Sequence, residues 1–263
     1  MKVLVVGGGI IGCATAYELA KAGCQVAVFE RATPGAEASS AAAGLLAPLG
    51  ESNDTNFARL ALASWRLYPG VVDELQRRTG IDVEYVTRGT IYPMSATQTR
   101  RDADAWALNK EFGVEVLEGA DVQALEPALS PKIRHAIFVK GDHWLNNQRL
   151  VLAYAQAAVS AGAELNTGCN VSRLVIEGGR VRAVVTEGER VEGDAVLLAA
   201  GAWSSELMAP LGAPLRIEPR RGQMIALAHV PPVLTYCVHG EAYMAPRPSG
   251  ELLIGRASCR ERV

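Results

Sequence analysis

An α/β architecture, with one domain on a parallel sheet and a second on a mixed antiparallel sheet, is what this sequence predicts. Three observations carry that reading. A glycine-rich turn, Gly7-Gly8-Gly9-Ile10-Ile11-Gly12, sits directly between an apolar run and a helix-patterned stretch. A second apolar run follows and ends in Glu30. Far along the chain, Leu197-Leu198 leads into the small-residue turn Ala199-Ala200-Gly201-Ala202-Trp203-Ser204.

Taken in order, Val3 to Val6 is a short β-branched run of the kind buried on both faces of a sheet. Cys13 to Ala22 reads as helix, with Thr15, Glu18 and Lys21 on one side, Ala16, Leu19 and Ala20 on another, and Gly23 able to cap the end. Gln25 to Glu30 returns as a strand, completing a βαβ opening with an expected right-handed crossover. Ala32 to Gly50 is rich in small residues and low in charge, too poor to build a core. Helical spacing of Phe57, Leu60, Ala61, Ser64, Trp65 and Tyr68 runs to Pro69, where a kink or restart is expected before a second helical stretch to Gly80. Asp82 to Pro93 reads as strand, Ser95 to Phe112 as helix, and Asn147 to Ala161 as a helix stopped at Gly162. Strands follow at Val171 to Ile176, Val181 to Thr186 and Ala195 to Leu198, the first two joined by the hairpin signal Glu177-Gly178-Gly179-Arg180. Ile217 to Leu227 and Tyr243 to Ala245 are the last strand candidates.

Composition narrows the function classes. A chain of 263 residues accommodates one large core or two modest ones, and 49% hydrophobic with 21% charged residues is ordinary for a globular enzyme. A net charge of −2 and the lack of a basic stretch argue against a nucleic-acid partner. Cys13, Cys24, Cys169, Cys237 and Cys259 have no metal-ligand or redox spacing and suit reduced thiols. Lys2 and the apolar run after it imitate a signal peptide, but Gly7, Gly8, Gly9, Gly12, Glu18 and Lys21 interrupt it. With no stretch long enough to span a bilayer, the sequence reads as a cytoplasmic protein with no membrane span.

The glycine turn satisfies G-x-G-x-x-G between a strand and a helix, the Rossmann-type fingerprint of a dinucleotide site. Gly7 permits the tight turn, Gly9 lets backbone approach a pyrophosphate, and Gly12 allows close helix–strand packing. The helix start then offers N–H groups and the positive end of its dipole to the phosphates. Glu30 stands where a carboxylate accepts hydrogen bonds from ribose hydroxyls, which disfavours a 2′-phosphate. A glycine-rich turn without a ligand is the bland alternative. The motif alone leaves NAD and FAD both open.

These pieces together resemble the D-amino acid oxidase superfamily of FAD enzymes, and within it the glycine-oxidase branch of thiamine biosynthesis. The resemblance covers nearly the whole chain to Gly255. Its pieces are Gly7 to Gly12 with Glu30-Arg31, then Ser39-Ser40-Ala41-Ala42-Ala43-Gly44-Leu45-Leu46-Ala47-Pro48, and Leu198 to Ser204. They continue with Pro219-Arg220-Arg221-Gly222-Gln223-Met224 and with Tyr243-Met244-Ala245-Pro246-Arg247-Pro248 leading to Leu252-Leu253-Ile254-Gly255. The resemblance implies a discontinuous FAD-binding domain of residues 1–50 and 146–215, and a substrate domain of 51–145 and 216–255, incomplete at the C-terminus. It also implies cofactor contacts at Gly7, Gly9, Ile10, Ile11, Gly12, Glu30, Arg31, Ser39, Ser40, Ala42, Ala43, Gly44, Leu45, Leu46, Val171, Ala200, Gly201 and Trp203. Ser39 or Ser40 as a simple helix N-cap is the structural alternative, and both readings are compatible.

Tyr243 resembles a substrate-site tyrosine whose phenol hydrogen-bonds a carboxylate; a half-buried strand tyrosine is the alternative. Arg220-Arg221 read equally as a solvated pair or a structural ion pair. His239 and Glu241 lie nearby without an assigned role, and His135, His143 and His229 read as structural. The resemblance implies oxidative deamination of a small amino acid, glycine first, by O₂ to the 2-oxo acid, ammonia and hydrogen peroxide, feeding thiamine thiazole synthesis, in a homo-oligomer when full length. No metal is implied. A flavin-dependent D-amino acid dehydrogenase and a sarcosine-oxidase-like amine oxidase are the competing activities, and an inactive FAD-binding fragment is the expected alternative for the chain as written.

That last alternative comes from the tail. Ile254 to Val263 is what the DNA string ATC GGA AGA GCG TCG TGT AGG GAA AGA GTG encodes, and that string resembles a sequencing adapter whose next codon is a stop. The expectation is that residues 256–263 are extraneous and that the family's substrate-carboxylate arginine lies beyond residue 255. Resequencing the source DNA across Leu253 to Arg256 tests this: the expected result is different native codons after Gly255, and a continuous native reading into the same tail would overturn it.

Overall fold

The computed structural model describes residues 1–49, 55–212, 215–219, 222–228 and 233–256. It divides into two compact units, one of Met1–Ala42, Asp73–Val83 and Asn147–Pro219, the other of Ala43–Val72, Glu84–Asn146 and Arg220–Val263. The sequence drew its first boundary near residue 50 and gave 73–83 to the second domain; here 43–49 group with the second unit and 73–83 with the first.

The first unit is organised by strands β1 (Lys2–Val6), β2 (Gln25–Glu30), β3 (Glu164–Thr167) and β4 (Ala195–Leu198). They form one parallel sheet in the order β4-β1-β2-β3. Val3 to Val6 are buried along the central strand, as an unbroken apolar run requires when both faces are covered. Helix α1 (Ile10–Lys21) covers one face and packs on the helix Asn147–Ser160 through Cys13, Val151 and Ala155. Ala16, Ala20, Ala157 and Ala158 are buried as well, and residues this small let the helices lie close. Leu4, Val6 and Phe29 point the other way, against Val171, Leu174 and Val184 of the antiparallel pair Val171–Glu177 and Arg180–Thr186. The hairpin expected at Glu177 to Arg180 is present.

The second unit holds a seven-stranded sheet in the order Gln223–Leu227, Leu252–Arg256, Tyr243–Pro246, Cys237–His239, Thr90–Pro93, His135–Val139, Val114–Glu118. Every pairing is antiparallel except Cys237–His239 on Thr90–Pro93. Alternate residues of Thr90–Pro93 serve two cores: Ile91 joins Val122, Phe138 and Val238, while Tyr92 joins Phe112, Ile137, Val139 and the ring of Trp65. The Trp65 indole also donates to Gly141 O at 2.9 Å.

Several expected elements differ. Where a kink or restart was expected at Pro69 there is no restart: one helix, Thr55–Thr79, contains Pro69. A proline forfeits a single backbone hydrogen bond, which the turns on either side outlast. The strand expected over Asp82 to Pro93 is confined to Thr90–Pro93, because Glu84 and Gly89 take left-handed φ values of 53° and 95°. The helix expected to reach Phe112 ends at Trp106, with a separate turn at Lys110–Phe112 and Leu108 left exposed. Among the described residues of Ile217 to Leu227, only Gln223–Leu227 is strand. Among the described helices none is long and apolar enough to cross a membrane.

One buried carboxylate holds a loop of the second unit. Glu126 is 2% exposed and accepts the amides of Thr235 at 2.7 Å and Tyr236 at 3.3 Å, fixing the approach to Cys237–His239. Glu126→Ala leaves both amides without this acceptor and is expected to cost about 2 kcal/mol of unfolding free energy, Glu126→Gln about half that. Urea denaturation monitored by tryptophan fluorescence reads the difference.

Candidate functional site: a dinucleotide cradle and a tyrosine strand

The cradle starts where β1 ends. Gly7 takes φ of 106° and donates its amide to Phe29 O at 2.9 Å, so the chain turns while still tied to β2. A Cβ at Gly7 would meet Ala199 C at 2.8 Å, so the turn fits directly against the exit of β4. A Cβ at Gly12 would run into Gly7 O, which is why α1 can start this close to the strand. Gly9 is the helix N-cap, in extended conformation and with no side chain of its own to cap the helix. Ser39 Oγ does so from outside, accepting the Ile10 amide at 3.0 Å.

Glu30 is the electrostatic centre of this turn. It is 8% exposed, and each carboxylate oxygen accepts one backbone amide: Oε2 from Gly8 at 2.7 Å and Oε1 from Ala32 at 2.8 Å. A carboxylate oxygen has two lone-pair directions, so each retains capacity for one further donor. Cys13, buried under the same turn, donates to Gly8 O at 3.3 Å. Burial, and then the charge of Glu30, push its thiol up to about 12, so it stays protonated at neutral pH.

Sequence reasoning missed two supports. Gly8 occupies a variable position of the motif, yet a Cβ there would meet Glu30 Cβ at 2.8 Å, and its carbonyl accepts the Gly35 amide at 3.0 Å. The only signal was a third consecutive glycine. Asn147 Nδ2 donates to Ser39 O at 2.6 Å, and Gln148 Nε2 to Ser40 O at 3.3 Å, so the start of a distant helix fixes the turn Ala38–Ala41. Nothing in the local sequence announces a contact across 108 residues.

Thus Gly7, Gly9, Ile10, Ile11, Gly12, Glu30, Arg31, Ser39, Ser40, Ala42, Val171, Ala200, Gly201 and Trp203 all belong to the first unit. Val171 packs in the core with Leu4 and Phe29. Arg31 pairs with Glu37 and lies 3.8 Å over the Trp203 ring. Ala43, Gly44, Leu45 and Leu46 belong to the second unit, where Leu145 N donates to Gly44 O and Leu45–Leu46 pair with Trp144 and His143.

Tyr243 opens its strand in the second unit. Its ring lies over Gly255, where any side chain would collide with it, and its hydroxyl donates to Met224 Sδ at 3.7 Å. A thioether is a weak acceptor, readily exchanged for a carboxylate. Burial raises the phenol's pKa, keeping the O–H as a donor. His239 lies 6.3 Å away ring to ring and also contacts Tyr92. His143 stacks on Trp65 and meets the Tyr85 hydroxyl, and burial lowers its pKa. Arg247 is buried and donates to Leu145 O at 2.9 Å. Arg220, Arg221, His229 and Cys259 lie outside the described residues.

The residues present fit a dinucleotide: a glycine turn that no Cβ would allow, a helix start without its own cap, and a buried carboxylate with acceptor capacity left. Among the described residues no cluster of His, Cys, Asp and Glu is arranged to hold a metal ion.

Known proteins resemble this chain in sequence and fold. The family model DAO, described as FAD dependent oxidoreductase, matches residues 2–262. A glycine oxidase of Geobacillus kaustophilus is 34% identical over 266 residues, covering 97% of this chain and 70% of that protein. The bifunctional protein ThiO/ThiG of Trichormus variabilis is 33% identical over 262 residues, 97% of this chain and 39% of its own length. The crystal structure of the G. kaustophilus glycine oxidase matches with a TM-score of 0.91 at 33% identity, over 99% of this chain and 73% of that one.

Gly12→Ala sets a methyl against Gly7 O. It is expected to cost at least about 2 kcal/mol of stability, or to displace α1, with loss of FAD binding in either case. Thermal unfolding and flavin fluorescence quenching measure the two effects.

Proposed function

The chain belongs to the DAO family of FAD-dependent oxidoreductases, and from that premise we propose that the protein oxidises a small amino acid, with glycine the favoured substrate. The observation that carries the cofactor half is the doubly anchored Glu30 carboxylate beside the glycine turn. The first unit holds the cofactor in this reading. Backbone amides at Gly9 to Gly12 face the pyrophosphate, Glu30 takes ribose hydroxyls, and Ser39, Ser40 and Ala42 run along the rest of the molecule. The likeness to glycine oxidases supports the substrate half.

FAD, when bound, supplies the two-electron oxidation of the amine and its reoxidation by O₂ to hydrogen peroxide. The work of the chain is binding and orientation. Tyr243, held neutral by burial, offers its O–H to the substrate carboxylate in exchange for Met224 Sδ. That fixes which end of the amino acid is anchored and which is free to react. The substrate loses two electrons and two protons to become an imine; water converts the imine to the 2-oxo acid and ammonia. No side chain is assigned as a base, since a neutral amine provides its own electron pair. A cytoplasmic location, a homo-oligomeric state and a link to thiamine thiazole synthesis complete the proposal, the last on the likeness to ThiO/ThiG.

Incubation of the full-length parent protein with FAD, glycine and O₂, followed by peroxide detection, tests this. Peroxide and ammonia in equal amounts are expected, with Tyr243→Phe raising KM several-fold through loss of one hydrogen bond to a charged group, about 2 kcal/mol at most. Absence of turnover on every amino acid tried would defeat the proposal. Turnover with a dye but not with O₂ would move it to the dehydrogenase class.

A further inference from the structure

Three neighbouring strands of the second unit bring one row of residues together. Met224 of Gln223–Leu227 pairs with Gly255 of Leu252–Arg256, and Gly255 pairs with Tyr243 of Tyr243–Pro246. Residues directly paired across a sheet share a face, so Met224 and Tyr243 flank Gly255 on the same side. Two strands with a third between them are roughly 10 Å apart. The phenol spans that gap because Gly255 has no side chain; a Cβ there would strike Cζ and the hydroxyl of Tyr243. Having crossed the middle strand, the hydroxyl ends on Met224 Sδ at 3.7 Å.

That sulfur has two chemistries. It is a weak acceptor, and it is the atom of this row that peroxide oxidises. Met224 is half-buried and packs on the cluster of Trp144, Cys237, Ala245 and Leu253. The other sulfur of that cluster does not compete. Cys237 is fully buried, and burial, then the charge of Asp142, push its thiol up, so it offers no thiolate. The oxidase activity proposed above yields one hydrogen peroxide for each substrate that Tyr243 anchors.

We propose that Met224 is a modification site for hydrogen peroxide, and that its sulfoxide weakens substrate binding by capturing the Tyr243 hydroxyl. The inference rests on the reading of Tyr243 as the contact for the substrate carboxylate, and adds a product-driven brake to it. A lone pair of Sδ attacks one peroxide oxygen as the O–O bond breaks. The departing oxygen keeps its own hydrogen and takes the proton of the attacked one. Sulfur loses two electrons and peroxide gains them; the products are methionine sulfoxide and water. The new oxygen is a strong acceptor within reach of a hydroxyl that already donates to the sulfur. Substrate carboxylate must then displace a polarised oxygen instead of a thioether, while the reacting end of the amino acid is unaffected.

Two measurements test it. In the 263-residue chain treated with dilute peroxide, peptide mass spectrometry is expected to find sulfoxide at Met224. Ultraviolet pH titration, with Tyr243→Phe as the blank, is expected to place the Tyr243 phenol higher than in the untreated chain, because a stronger acceptor holds its proton. In the full-length parent, the same treatment is expected to raise KM for glycine about fivefold with kcat little changed, the size of one hydrogen bond. Methionine sulfoxide reductase should reverse the rise. Met224→Leu should abolish the response to peroxide. Tyr243→Phe, with no hydroxyl to capture, should lack it too and covers the case in which Met224→Leu fails to fold. No sulfoxide at Met224, a KM that ignores it, or an equal rise in Met224→Leu would overturn the inference while leaving the oxidase reading standing. A parent that oxidises no amino acid before treatment would overturn both.

Discussion

The carboxylate of Glu30, buried and gripped by the amides of Gly8 and Ala32, is the interaction on which the cofactor half of this molecule depends. Burying a charge is costly unless hydrogen bonds replace its water. Here two backbone amides do so, one from the glycine turn and one from the residue after next. The same bonds lock the end of β2 to the turn after β1. Charge and backbone geometry are one problem with one solution, and Gly8 solves it because no other residue leaves room for the Glu30 side chain.

From that anchor the rest of the cradle follows in layers. With the turn fixed, α1 starts within contact distance of β1, and its first amide is satisfied from outside by Ser39 rather than by its own N-cap. Ser39 in turn is placed by Asn147, whose helix is held against α1 by alanines and by Val151. The surface we propose for the phosphates is built of backbone, whose dipoles are oriented before any ligand arrives and cost nothing to reorganise. The Cys13 thiol below it, with its pKa near 12, adds no competing charge.

The second unit is organised by a different constraint. In its seven-stranded sheet directly paired residues share a face, so Tyr243 and Gly255, partners in register, must be chosen together. The tyrosine ring occupies the volume that a side chain at 255 would take, and its hydroxyl reaches Met224. A phenol kept neutral and weakly engaged is available to a stronger acceptor. Glu126 and Trp65 do the corresponding structural work, each holding a loop through a part-buried hydrogen bond, to Thr235 N and Gly141 O.

The order strand, glycine turn, helix, strand, acid between Lys2 and Glu30 was legible because it is local: the residues that define it are neighbours in the chain and their spacing is set by backbone geometry. The hairpin at Glu177 to Arg180 was legible for the same reason. No restart occurs at Pro69 because one lost hydrogen bond does not outweigh the many others of a 25-residue helix. Thr90–Pro93 was overextended because alternating apolar residues do not reveal that Glu84 and Gly89 turn left-handed. The sequence by itself determined the dinucleotide turn and its acid, since these need only short-range geometry. Tertiary structure alone decided that the acid binds the Gly8 amide, who caps α1, and that Arg31 lies on Trp203. Those contacts join positions 22 to 172 residues apart, and a pairing at such range is specified by packing, not by pattern.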